Sequence, residues 1–163
     1  MKRKYRIIAA LCLLAAGICQ AQNKLFDKYA DMDNVTYVYI SKAMFNMMPT
    51  VVSDIGLSLT NMKGKIESLQ LVSSEQKDEM EKMRKEFTQL YGRYHQELMR
   101  LHSGKTHTVF YAIVDGNKVE DLVMLADTDS TFVAIQILGK FTIKDIQDIS
   151  AQIDVKVDVQ TGK

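Results

Sequence analysis

The sequence predicts an α+β fold: a mainly antiparallel sheet of five or six strands, ending in a C-terminal meander, with two or three helices packed on it. Three segments near the C-terminus, "HTVFYAIVD", "KVEDLVMLA" and "STFVAIQILG", are β-branched and apolar and are joined through the turns "DGN" and "DTDS", which share Asp115 and Ser130 with them. Asp115-Gly116-Asn117 is a tight hairpin signal, because Gly and Asn accept the positive φ that a primed turn requires. Ahead of the meander, "EQKDEMEKMRKEFTQLY" places Met80, Met83, Phe87, Leu90 and Tyr91 on one helical face.

The remaining elements follow in chain order. "NKLFDKYADMDN" spaces Leu25, Phe26, Tyr29 and Ala30 for a short amphipathic helix that ends at Asp33-Asn34. "VTYVYIS" suits a strand; Ser41 then offers an N-cap for "KAMFNMM", and Pro49 stops that helix. Thr50 to Gly64 reads as a helical turn or loop, and "KIESLQLVS" as a second strand. Ser73 with Gln76 has the spacing of a capping box, and Gly92 is the expected helix stop. The outer helical face carries the pairs Asp78/Lys82 and Glu81/Lys85 and reads as solvated.

"RYHQELMRLHS" fits helix or strand by pattern. A continuous helix from Ser74 to His102 would be about 43 Å long at 1.5 Å per residue, too long for a compact domain of this size, so a strand is expected. After the meander, "TIKDIQDISAQI" reads as a helix capped by Thr142, with Ile143, Ile146, Ile149 and Ile153 inward. The tail from 154 to 163 alternates like a strand but ends with nothing to hold it.

The N-terminus carries the compartment signal. "MKRKYR", "IIAALCLLAAGI" and "CQA" have the layout of a secretory signal peptide over residues 1–21. Cleavage after Ala21 leaves a single domain, 22–163, of 142 residues with 17 basic and 20 acidic side chains, a net charge of −3. The expectation is export to the periplasm or cell surface. The rival reading makes Cys19 a lipidated first residue, which would bring the protein to a membrane. Both cysteines, Cys12 and Cys19, lie in the leader, so the processed chain has no disulfide or thiolate ligand. The mild acidity argues against a nucleic-acid partner.

Taken together, "LFDKYADMDNVTYVYISKAMFNMM", "IESLQLVSSE", "YHQELMRL" and "VEDLVMLADTDSTFVAIQILGKFTIKDIQDIS" resemble a family of small exported proteins from Bacteroides-type Gram-negative bacteria, the domain of unknown function 4252. The resemblance covers nearly the whole processed chain and rests on the order of segments. It implies export, this fold, and a strand at "YHQELMRL". It brings no catalytic residues with it.

Candidate chemistry is sparse. Met44, Met47 and Met48 share a helical face and could offer thioethers to Cu(I), but packing against the sheet is the simpler use of methionine. If Arg93 to Ser103 is a strand, His95 and His102 point to opposite faces, and His95, His102 and His107 read as surface histidines near a turn. Asp27, Asp31 and Asp33, and the pair Asp127 and Asp129, lack the Gly and distal Glu of a calcium loop. No nucleophile motif or phosphate loop is present, so no cofactor, metal or catalytic residue is expected.

The sheet raises the sharper question. Val109, Tyr111 and Ile113 oppose Phe110, Ala112 and Val114, and Val133, Ile135 and Ile137 oppose Phe132, Ala134 and Leu138, so both faces are apolar. Helices 75–91 and 142–153 are expected on one side. The other is covered by the Met-rich helix, a second copy of the chain, an envelope partner or a ligand. The first functional reading is a non-enzymatic envelope protein that binds through Val109, Phe110, Tyr111 or Phe132. The alternative is a carrier of a small apolar ligand, or less readily a metal, with Tyr37, Met44 and Met48 lining one wall. A hydrolase with paired carboxylates is a weaker third.

Overall fold

The computed structural model describes residues 24–47, 62 and 64–146. The leader with its cysteines, Met48, Pro49, the stretch 50–61, Ile149, Ile153 and the tail lie outside the described residues. Helix α1 (24–30) leads into β1 (Thr36–Ser41), α2 (Lys42–Met47), β2 (Ile66–Ser74) and α3 (Lys77–Tyr94). The meander is β3 (Gln96–Ser103), β4 (Thr106–Asp115), β5 (Lys118–Asp127) and β6 (Phe132–Thr142), and α4 begins at 143. The strands form one open antiparallel sheet in the order β1-β2-β6-β5-β4-β3. The architecture is the α+β class expected; within "YHQELMRL" the strand β3 begins at Gln96, while Tyr94 still closes α3.

The sheet separates two cores. On one face, Phe26 and Tyr29 of α1 and Met80, Met83, Phe87 and Tyr91 of α3 cover Val72, Tyr111, Val123, Leu125, Phe132 and Ala134. Phe87 is the hub: its ring centroid lies 5.1 Å from Phe26, 5.7 Å from Tyr29, and 6.1 Å from both Tyr91 and Phe132. The opposite face is mainly aliphatic, and joins Phe45 of α2 and Ile146 of α4 to Ile40, Leu69, Phe110, Leu122, Ile135 and Ile137.

Several local expectations are corrected. Helix α4 does not share a side with α3, because β6 continues past Gly139 to Thr142 and delivers Ile146 to the Phe45 face. A Cβ at Gly139 would collide with the Lys65 carbonyl oxygen, so glycine lets the strand run through that close approach. Ile143 is exposed, not inward. Thr142 does cap α4: its hydroxyl oxygen accepts from the Asp145 N–H at 3.4 Å, and its own N–H donates back to Asp145 Oδ2 at 2.8 Å.

Ser73 does not cap α3, because the ladder claims it as partner of both Thr36 and Val133. The N-cap position falls to Gln76, and Ser74 fixes the approach by donating to the Asn34 carbonyl (2.8 Å) and accepting from the Gln76 N–H (3.2 Å). The helix also runs through Gly92, whose φ is not positive, and ends where His95 turns extended while its N–H still donates to the Tyr91 carbonyl. Lys82 approaches Glu79 at 3.8 Å instead of pairing with Asp78. In the hairpin after β4, Gly116 takes φ 60° and Asn117 stays negative, the pattern of a II′ turn. Ser41 behaves as expected, its Oγ 3.4 Å from the Met44 N–H.

Candidate functional site

The residues named from sequence fall into different places. Phe110, Tyr111 and Phe132 are 1, 5 and 1 % exposed, and Val109 packs partly buried beside Tyr111, so all four serve the chain's own cores. Phe110 stands on the face opposite the other three. Tyr37 packs on the α3 side and Met44 on the α2 side, so the sheet divides them and they cannot line one wall. Burial, then the charge of Asp27, raises the Tyr37 hydroxyl above its usual range. Met47 is exposed.

Two polar clusters do form, both on the α3 face of the sheet. The first is closed. His95 Nε2 lies 3.0 Å from Asp121 Oδ2, and Gln136 Nε2 donates to both Asp121 oxygens at 3.0 and 2.9 Å. The His95 and Asp121 side chains are 0 and 5 % accessible. Tyr91 stacks edge-on against the imidazole at 4.9 Å, and burial, helped by the Asp121 charge, holds its hydroxyl firmly protonated. This His–Asp pair ties the C-terminal end of α3 to β5 and β6, and no solute reaches it in this conformation. His95 is therefore no surface histidine.

It also shares a face with His102, against the parity expected of a regular strand. The cause is a bulge between Glu97 and Met99, which shifts the β3 register by one and sends both Leu98 and Met99 to the aliphatic face. The sequence signal missed was a set of polar residues at inward positions of neighbouring strands: Gln70, Asp121 and Gln136 are all buried. Gln70 and Gln136 are direct register partners.

The second cluster is open. A cleft of about 560 Å³ lies between the N-terminal half of α3, the β3–β4 turn and the β5–β6 turn. Arg84 forks onto Asp127, Nε to Oδ2 at 2.5 Å and Nη2 to Oδ1 at 2.7 Å, and Lys105 pairs with Asp129. The Asp127 carboxylate in turn raises the Arg84 guanidinium further above its already high range. His107 lines the same cleft and meets His102 across the hairpin, Nδ1 to Nδ1 at 2.9 Å. Among the described residues, no three His, Asp, Glu or Cys side chains converge to hold a metal ion.

A third feature is a more open groove of about 400 Å³ between α1 and α3, lined by Leu25, Leu90 and Tyr94 together with Lys24, Lys28, Glu86 and Arg93. Lys28 Nζ holds Glu86 at 2.5 and 2.6 Å, and Glu86 accepts the Tyr29 hydroxyl at 3.0 Å.

The match to a domain of unknown function (DUF4252) spans residues 29–149, from the second half of α1 past the start of α4. The chain belongs to this family. No curated protein matches it. The DUF4252 match takes in every strand of the sheet, and with them both polar clusters. Among the described residues of this DUF4252 chain, no helix is long and apolar enough to cross a membrane.

Proposed function

We propose that this DUF4252 chain is an exported, non-enzymatic envelope protein that works by contact with another protein. The observation that carries the reading is the groove between α1 and α3. It sets Leu25, Leu90 and the half-exposed Tyr94 among basic side chains, and aromatic residues with a polar edge are what interfaces favour. Lys24, Lys28 and Arg93 outnumber Glu86 there, so the partner segment is amphipathic and acidic. Support for a non-catalytic role comes from the charged groups, which are engaged with one another in the cleft and sealed off at His95–Asp121. Support for export comes from the leader-like first 21 residues.

The test has two readouts. Expressed with its own N-terminus in a Gram-negative host, the protein is expected in the envelope fraction, with an intact mass that starts at Gln22. A lipid-modified Cys19 would move it to a membrane fraction, and an uncleaved cytoplasmic chain would refute export. A photo-crosslinking residue at Tyr94 should give one discrete adduct, lost in Leu90→Asp. Absence of any adduct there, with an adduct formed from an unrelated surface position, would place the contact elsewhere.

A further inference from the structure

We propose that His102 and His107 form a two-imidazole chelating site for a divalent late transition metal, Cu(II) above all. The proposal does not depend on the groove or on export. It starts from the hairpin. Ser103 pairs with Thr106 around the two-residue turn Gly104-Lys105, and Gly104 supplies the positive φ, 58°, that this tight turn needs. His102 and His107 are the next pair out, a position where no backbone hydrogen bonds are exchanged and cross-strand side chains come closest. Their like nitrogens, both Nδ1, stand 2.9 Å apart, and the ring centroids are 4.2 Å apart with the planes inclined by 57°.

In the metal-free protein one ring donates its Nδ1–H to the other. When that ring takes its other tautomer and the two exposed rings turn outward, both Nδ1 lone pairs can converge on one ion, and neutral imidazole is the form a metal requires. With metal–nitrogen bonds of about 2.0 Å, a 2.9 Å separation corresponds to an angle near 90°, roughly that of adjacent ligands in a tetragonal complex and below the tetrahedral angle zinc prefers. Imidazole donors and this geometry favour Cu(II), with Ni(II) next. Asp127 is the register partner of His107 on β5, but both its oxygens are held by Arg84, so water fills the remaining positions.

The test is a Cu(II) titration of the chain from Gln22 to Lys163, which carries no thiol to reduce the ion, followed by calorimetry and by electron paramagnetic resonance. One equivalent is expected to bind, with nitrogen couplings from two imidazoles. Because both side chains are exposed, His102→Ala and His107→Ala should keep the circular dichroism of the parent. Each should weaken binding by more than about tenfold, and Zn(II) should bind more weakly than Cu(II). Unchanged affinity in the doubly substituted His102→Ala/His107→Ala chain would overturn the proposal. So would a spectrum without two imidazole nitrogens, or no saturable binding.

Discussion

The two ends of α3 rest on the same sheet face, and each end meets histidine and aspartate, yet the outcomes differ. At the C-terminal end, His95 and Asp121 are sealed between helix and sheet with Gln136, so their polar atoms must satisfy one another. At the N-terminal end, Asp127 answers Arg84 at the wall of an open cleft, and His102 and His107 answer each other in solvent. The difference is one of enclosure, not of residue type. A polar pair under the helix specifies how the layers dock. The same kind of pair at the rim is left available to a solute.

The contrast can be broken most directly at Asp121. Asp121→Ala removes the buried carboxylate that meets His95 and accepts from Gln136, and should cost about 2–3 kcal/mol in denaturant unfolding. A loss below about 1 kcal/mol would show that the closed end is not closed. At the open end, Asp127→Ala removes a bidentate partner from an Arg84 that is 40 % accessible, and should cost about 1 kcal/mol by the same assay.

A third carboxylate sharpens the comparison through pH. Burial would raise Asp145, but Lys65 Nζ at 2.8 Å and the Thr142 N–H and hydroxyl outweigh it, and hold the carboxyl below its usual value. A depressed carboxylate stabilises the fold above its unfolded pKa, and that contribution fades as pH falls through the folded value. Thermal midpoints should therefore drop below about pH 4 in the parent and drop less in Asp145→Asn. The smallest effect is expected at Gly92. It sits inside α3, exposed, and among the described residues a Cβ added there would meet only the Tyr111 hydroxyl, at 4.0 Å, so Gly92→Ala should stabilise by about 0.5 kcal/mol.

Periodicity made the elements legible, because strands and helices here follow their apolar spacing closely. The run from Lys118 to Gly139 needed no tertiary knowledge beyond a tight turn, whereas the last three residues of β6 were not read as strand. The failures share a cause: each depended on which residue stands beside which. Ser73 looked like a cap because its own strand partners, Thr36 and Val133, lie far away in sequence. Gly92 looked like a stop because nothing local shows that the helix still has Tyr91 and His95 to deliver to the sheet. The parity argument for the histidines failed on one bulged residue, and a bulge has no periodic signature. The candidate site was less legible still. Asp121 and Gln136 were visible only as polar interruptions in apolar strands, and their meaning appears once β5 and β6 are set in register.

The β2–β6 ladder has a consequence in time. Every other pairing in the meander joins neighbours through a short turn, so β3 to β6 can zip from hairpin to hairpin. The β2–β6 seam is different: Ser74 must find Phe132, and Ile66 must find Gly139, with all of α3 and three strands lying between. Closing that loop costs chain entropy before any contact repays it. Docking of β2 onto the meander therefore waits on a long-range encounter, and the aromatic cluster around Phe87 is what α3 brings to it. A chain in which the meander forms but the seam does not would present the β6 edge to its neighbours, with aggregation as the competing fate.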